Sequence, residues 1–381
     1  MITGSKELIR DINSNLVLTQ IVNYSPISRS TIAKKLGLTK ATISAIVADL
    51  LVKKLVVEIG SDDTSLGRKP ILLSFNRKAG YAVSVDIGEQ MISALITDLQ
   101  GDERQLKQIA TPKNSSDLCP ALIELLRSMT TDISERPYGI VGITLGIHGV
   151  TSDNVIHFTP YYDFTSCNLI KALEENFHTT ILLENEANLS VIGEKTFEYD
   201  YPNIANISVH TGVGLGIIMN NTLYAGSKGY AGEIGHTIVD IDGKPCPCGN
   251  RGCLEQYVSE RALLQVLAAK KGLEHIDFAS FSELYHQKDS DALSIMDTFV
   301  RYMTICVNNV LTMFNPDLVI VNSRFIVLDP LLLTRIIDSL SSRMNNYQKI
   351  VPSVLQEGSV LLGGISVTVR SFLGVDVSMI H

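Results

Sequence analysis

Residues 229–257 hold one histidine and three cysteines: His236, Cys246, Cys248 and Cys253. These are the residue types that bind a zinc ion tetrahedrally. Two carboxylates, Glu233 and Glu255, stand three and two residues from would-be metal ligands. A metal that clips this loop holds both acids in fixed positions, and fixed acids suit a polar small-molecule pocket. The residues therefore predict a zinc-stapled ligand site. Its purpose depends on the elements around it.

At 381 residues the chain predicts two or three compact units. Apolar residues make up 45% and charged ones 19%, which suits large, well-filled cores. The net charge of −8 gives no global attraction to nucleic acid, but the charge is unevenly distributed. Residues 1–80 carry twelve Lys and Arg against six Asp and Glu, while the remainder carries twenty against thirty-four. That asymmetry predicts a basic module on an acidic body. Cys119, Cys167 and Cys306 are scattered, so the cysteines read as reduced thiols rather than a disulfide framework. The N-terminus shows no signal-peptide pattern, and no segment approaches the roughly 18 uninterrupted apolar residues of a membrane span. The expected location is cytoplasmic, with no membrane partner.

The basic module, residues 1–78, has the order of a winged helix-turn-helix. Leu8, Ile9, Ile12, Leu16, Ile21 and Val22 recur mostly at helical spacing. Ser28, Arg29, Ser30 and Thr31 open a second helix through Ile32, Ala33 and Leu36, and Gly37 ends it. Thr39 is the expected cap of a third helix that carries Ile43, Ile46, Val47, Leu50 and Leu51. Two short helices joined by a glycine turn offer the second of them to a DNA major groove. Thr39, Lys40, Thr42, Ser44 and Ala45 at its leading end are short, polar or basic, as close approach to phosphates and base edges requires. Residues 55–59 and 71–75 read as wing strands, and Gly67-Arg68-Lys69-Pro70 between them is a basic tip for a minor groove or backbone. The candidate DNA contacts are thus Ser28, Arg29, Thr39, Lys40, Thr42, Ser44, Arg68 and Lys69.

From Tyr81 onward strands alternate with helices, the texture of an α/β body. Strands are expected at 82–88, 92–96, 140–145, 181–183 and 318–321, and helices at 118–129 and 295–314. A hairpin is expected to turn at Thr211-Gly212-Val213-Gly214, and Gly363-Gly364 to form a turn into the last helix.

Gly232-Glu233-Ile234-Gly235-His236, followed by the cysteine run from Cys246 to Glu255, resembles the signature of the ROK family of repressors, open reading frames and sugar kinases. The resemblance covers essentially the whole chain, from about Ser14 to the C-terminus, with the ROK body over residues 79–381. It implies a two-lobed, actin/hexokinase-like (ribonuclease H-like) body with a sugar bound between the lobes. It places zinc on His236, Cys246, Cys248 and Cys253, a closed structural site. It places a sugar or sugar phosphate on Asn185, Glu186, Glu233, His236 and Glu255, because vicinal hydroxyls are satisfied by carboxylates and carboxamides. The N-terminal winged helix points to the repressor branch, which implies operator DNA as partner and a homodimer or homotetramer.

The alternative within the same family is an ATP-dependent sugar kinase with an added DNA-binding domain. The kinases' Asn-Asp pair supplies a general base, and here Glu186 follows Asn185, which moves the carboxylate by roughly 1 Å. Their first phosphate loop, Asp-x-Gly-Gly-Thr, is Asp86-Ile87-Gly88-Glu89-Gln90 in this chain. Their adenosine Gly-Gly turn is Asn322-Ser323-Arg324, expected to obstruct adenine. The second phosphate loop, Thr211-Gly212-Val213-Gly214-Leu215-Gly216, is kept. Three departures favour a non-enzymatic regulator.

Overall fold

The computed structural model describes residues 6–61, 71–131, 133–160 and 168–379. The basic module forms as its residues predict. Helix α1 (Lys6–Tyr24) buries Val17, Leu18, Ile21 and Val22. Helix α2 (Arg29–Leu36) adds Ile32 and Ala33, and α3 (Lys40–Val52) adds Ile43, Ile46, Val47 and Leu50. Ser28 Oγ accepts from the Thr31 amide to cap α2, and Gly37, at φ +67°, ends it in the left-handed conformation. Thr39 Oγ1 caps α3 by accepting from the Thr42 amide. Strands β1 (Ile27–Ser28), β2 (Val56–Ser61) and β3 (Ile71–Phe75) form an antiparallel sheet in the order β1-β3-β2, with Leu73 and Phe75 on its buried face. The wing tip with Arg68 and Lys69 lies outside the described residues.

The chain divides into two compact units. The first takes residues 1–148, 159–184 and 364–381. Besides the basic module it contains a sheet in the order β10-β7-β4-β5-β6. Its strands are β4 (Tyr81–Ile87), β5 (Met91–Thr97), β6 (Gln105–Ala110), β7 (Ile140–Ile147) and β10 (Ile181–Asn185). β4 runs parallel to β7 and antiparallel to β5, which pairs antiparallel with β6. Helix α4 (Ser115–Thr130) packs on β5 and β6 through Leu118, Leu122 and Leu125, and α5 (Leu169–Phe177) packs on α4. Cys119 of α4 is disulfide-bonded, which corrects the reading of six reduced thiols. Scatter in sequence carries no information about which thiols folding brings within bonding reach.

The second unit takes residues 149–158 and 185–363. It opens with the hairpin of β8 (Val150–Ser152) and β9 (Val155–Phe158). Its sheet runs β13-β12-β11-β14-β15. These strands are β11 (Ile204–Val209), β12 (Val213–Met219), β13 (Thr222–Leu223), β14 (Leu318–Ser323) and β15 (Lys349–Pro352). Helix α6 (Glu186–Phe197) lies on β11 and β12. Helices α7 (Glu255–Val258), α8 (Glu260–Lys271), α9 (Phe278–His286), α10 (Ser290–Phe314), α11 (Arg324–Leu328) and α12 (Leu331–Asp338) complete it. Its core is built around buried Phe281, Phe299 and Phe325.

The last helix, α13 (Ser359–Leu373), contains Gly363 and Gly364 in its interior, so the expected turn is not there. Packing explains both glycines. A Cβ on Gly363 would lie 1.9 Å from the Leu189 carbonyl oxygen, and one on Gly364 would lie 2.0 Å from Ser84 Oγ.

Buried Glu194 of α6 receives hydrogen bonds at Oε1 from Ser353 and from the Leu355 amide, while Oε2 is buried without a partner. Burial pushes its carboxyl above the ordinary value. The folded chain then holds a proton that the unfolded chain releases, so this group's stabilising contribution is present at low pH and is lost as pH rises through the raised value. Glu194→Gln keeps the acceptor and removes the titration. Urea titrations from acid to neutral pH should show a flatter stability decline in the variant, and parallel curves would refute this assignment.

Candidate metal centre and ligand site

The ligand atoms of His236, Cys246, Cys248 and Cys253 all lie within 4.8 Å of one another. Cys246 Sγ is 3.7 Å from His236 Nδ1, and Cys248 Sγ is 3.6 Å from Cys253 Sγ. A tetrahedral zinc with Zn–S bonds of about 2.3 Å holds neighbouring ligands ~3.7 Å apart, so the four atoms fit that ion. Two short bridges, Ile238 with Cys253 and Pro245 with Arg251, fold the loop into this shape. Gly252, at φ +74°, is required there, since a Cβ would fall 1.6 Å from the Asp240 carbonyl oxygen. The Gln256 side-chain amide donates to Cys246 Sγ, a support that the spacing of cysteines did not announce. Burial, and then the neighbouring thiols, push Cys253 up to about 12, so Cys253 favours its thiolate only when a cation compensates the charge.

The two acids sit at the ends of this loop. Glu233 precedes the short 3-10 turn Ile234–His236, and its Oε2 is 4.0 Å from His236 Nε2. The histidine thus turns Nδ1 toward the thiols and Nε2 toward an acid. Burial pushes the Glu233 carboxyl up; His236 opposes that shift, and the charge of Glu255 adds to it. Glu255 is the first residue of α7, and Arg261 clamps it, Nη2 donating to Oε1 at 3.0 Å. Arg261 was not among the expected site residues; it stands in α8, past the extended Ser259 that separates it from α7, and no single-helix spacing announces the pair.

Asn185 and Glu186 join from the start of α6. Asn185 Oδ1 caps the helix by accepting from the amides of Ala187 (2.8 Å) and Asn188 (3.1 Å). Its Nδ2 donates to the Gly149 carbonyl and to Glu186 Oε2, both at 2.8 Å. The carboxamide therefore orients Glu186 and ties down the β8–β9 hairpin. The glycines of β12 let this arrangement close. A Cβ on Gly214 would lie 2.8 Å from Ala187 Cβ and 3.4 Å from Glu186 Oε1; one on Gly216 would lie 2.2 Å from the Ala187 carbonyl oxygen. Along the edge of β12 that faces away from β11, the Leu215 amide donates to the Gly232 carbonyl at 3.0 Å, and a Cβ on Gly232 would lie 2.1 Å from the Leu215 carbonyl oxygen. Strand β12 thus has α6 on its face and the loop bearing Glu233 along its edge. Glu186 and Glu233 flank neighbouring residues of one strand.

A profile of the ROK family matches residues 82–368. A protein named xylose repressor from Bacillus spizizenii is 35% identical, over 98% of this chain and 98% of its own length. The chain belongs to the ROK family. A solved ROK family transcriptional regulator, described as a homolog of the Escherichia coli MLC protein, superposes with a TM-score of 0.80 at 23% identity, covering 96% of this chain and 98% of its own. A ROK family glucokinase from Streptomyces griseus, solved with glucose and AMPPNP, has a TM-score of 0.66 at 25% identity, covering 76% of this chain and 99% of its own. The two-lobed α/β architecture expected of a ROK body is the one these folds share.

Residues in and beside the stretches compared with the kinase motifs have structural partners. Asp86, at the end of β4, pairs with His148 Nε2 at 2.9 Å. Asn322, at the end of β14, turns inward and donates to the Gln356 carbonyl (3.0 Å) and Ser359 Oγ (3.1 Å). Its neighbour Arg324 stacks 3.9 Å over the Phe278 ring and pairs with Glu260 at 3.0 Å. A cavity of about 330 Å³ remains beside them, lined by His210, Phe278, Asn322, Arg324, Gln356 and Glu357 among others. Asn322, Ser323 and Arg324 all line that space.

The expected DNA contacts fall into two sets. Lys40 and Ser44 are exposed on α3, on the same face as Ala41, Ala45 and Ala48. Ser28 is buried as a cap, and Arg29 Nη2 is held 2.6 Å from Glu58 Oε1 of the wing. Thr39 and Thr42 share a hydroxyl contact of 2.9 Å at the start of α3.

Proposed function

We propose that this ROK protein is a sugar-responsive transcriptional repressor, non-enzymatic and cytoplasmic. The winged helix over residues 1–78 binds operator DNA through Lys40, Ser44 and their neighbours, and the body over 79–381 is the sensor. The observation that carries this reading is the gathering of Glu233, His236 and Glu255 on one loop whose His/Cys quartet can hold a metal, near Glu186, in a chain that also carries a winged helix.

In this reading Glu186, Glu233 and Glu255 accept hydrogen bonds from sugar hydroxyls, and Asn185 and Arg261 hold the first and third of these acids in place. His236 joins the sugar site to the metal site. Zinc bound by His236, Cys246, Cys248 and Cys253 supplies a fixed frame, not reactivity. A sugar that binds one conformation better than another shifts operator affinity by that difference. The relative named xylose repressor makes xylose the first sugar to test.

Fluorescence anisotropy on an operator fragment, with a panel of pentoses, hexoses and their phosphates, tests the proposal. One sugar should weaken operator binding by roughly 5- to 150-fold, and Glu233→Gln should remove that response while leaving sugar-free DNA binding intact. A flat response across the panel would overturn the sensor reading. The kinase alternative is favoured by Glu186 standing beside Gly214 of the retained glycine loop. It requires sugar-dependent ATP turnover, and robust turnover would make it the better reading.

A further inference from the structure

A zinc ion held by three thiolates and one imidazole leaves net negative charge on the sulfurs, and donors outside the ligand set stabilise that charge. The backbone supplies such donors unevenly here. The amides of Cys248 and Asn250 both serve Cys248 Sγ. Cys246 stands between Pro245 and Pro247, and Pro247 has no amide hydrogen to give. The Cys246 amide itself donates to the Asn250 carbonyl at 2.8 Å, and the Gly249 amide to the Cys246 carbonyl at 3.0 Å. Every amide hydrogen of residues 246–250 is thus engaged away from Cys246 Sγ.

The donor to that sulfur comes from beyond the cysteine run. Gln256 Nε2 lies 3.6 Å from Cys246 Sγ, within reach of an amide–sulfur hydrogen bond. Both backbone groups of Gln256 are fixed to the same loop. Its amide donates to the Cys253 carbonyl at 3.0 Å, and its carbonyl accepts from Lys244 Nζ at 3.0 Å. The side chain is partly buried on α7, directly after Glu255. An acid or an aliphatic residue at this place would occupy similar space without bringing a donor. The same short helix therefore carries one acid of the ligand site and a hydrogen bond to the metal centre.

We propose that Gln256 is a positioning residue of the metal centre: its carboxamide steadies Cys246 as a ligand and sets how tightly the cluster keeps its zinc. This inference rests on the zinc reading and is independent of the repressor reading. Loss of an outer hydrogen bond of this kind costs about 10- to 100-fold in metal affinity.

Competition with a chromogenic chelator measures zinc affinity in the full-length chain, and cobalt substitution reports on the thiolates through their charge-transfer absorption. Gln256→Glu keeps the shape but points an acceptor at the sulfur, and should weaken zinc binding about 10- to 100-fold. Gln256→Leu, neutral and without a donor, should weaken it about tenfold and move the cobalt–thiolate band to longer wavelength. Gln256→Lys, which puts a donor back, should hold zinc within a few-fold of the natural chain. Band position is read per bound cobalt, so it decides even for a variant that loads poorly. A role in packing alone gives the reverse order, with the glutamate variant nearest the natural chain and the lysine variant furthest, and leaves the band in place. That order, or an unmoved band in Gln256→Leu, would overturn the proposal. Failure of the natural chain itself to hold zinc or cobalt would overturn the zinc reading instead.

Discussion

Cys248→Ser is expected to empty the metal centre and silence the response to sugar while leaving the winged module folded. Cys248 is exposed, so exchanging sulfur for oxygen costs little packing, and the effect isolates metal ligation. Structural zinc sites in small peptides bind with about 10 to 16 kcal/mol, so losing one of four ligands removes a large share of the loop's stability. Without the ion the remaining thiols have no compensating cation, and burial keeps Cys253 protonated, pushed up to about 12. The loop that places Glu233 at one end and Glu255 at the other is then left to its hydrogen bonds, such as the Leu254 amide to the Thr237 carbonyl, and to the Arg261 clamp. Elemental analysis should find near-stoichiometric zinc in the natural chain and almost none in the variant. Titration with sugar should lose its effect on operator binding. Full metal content with a normal sugar response would sink the zinc assignment.

Gly216→Ala is expected to cost about 3 kcal/mol or more in stability and to blunt ligand binding. The new Cβ would press to 2.2 Å from the Ala187 carbonyl oxygen and to 2.7 Å from Val191 Cγ1. Helix α6 cannot retreat easily, because α13 already lies close against it, at Gly363 beside the Leu189 carbonyl and at Ser359 beside Gly193. Separation of α6 from β12 moves Asn185 and Glu186 with it. Thr211→Ala, in the same glycine loop, should by contrast leave the melting temperature nearly unchanged. Thermal melts of the two variants decide whether these glycines are kept for packing or for phosphates. Equal stability of Gly216→Ala and the natural chain would favour phosphates.

The metal quartet was readable because all four ligands fall in one short stretch, where ring-closing geometry is local. The helix-turn-helix was readable for the same reason. Ser28, Gly37 and Thr39 act within four residues of themselves, and each does in the fold what its type predicts. Strands β4, β7, β11 and β14 follow from apolar runs of the right length, and the structure moves their ends by only a few residues.

Where the reading departed from the fold, the deciding contact is distant in sequence. Gly363 and Gly364 look like a turn, yet they lie inside α13 because of Leu189 and Ser84. Arg29 looks like a phosphate contact, yet Glu58 across the module holds it. Asn322 looks like an obstruction, yet Gln356 and Ser359 draw it inward. Cys119 looks like a free thiol and is not.

Residue type and short-range spacing were thus enough to pick out a His/Cys quartet able to hold a metal and to place the chain in its family, since the chemistry of a ligand set or a cap is complete within a few residues. Which acids meet and which side chains are already occupied are matters of approach between elements far apart in the chain. Glu233 and Glu186 come to flank one strand only because three glycines let α6 close on the face of β12 and the cysteine loop close along its edge. Close packing of backbone against backbone sets that geometry, and local propensity does not encode it.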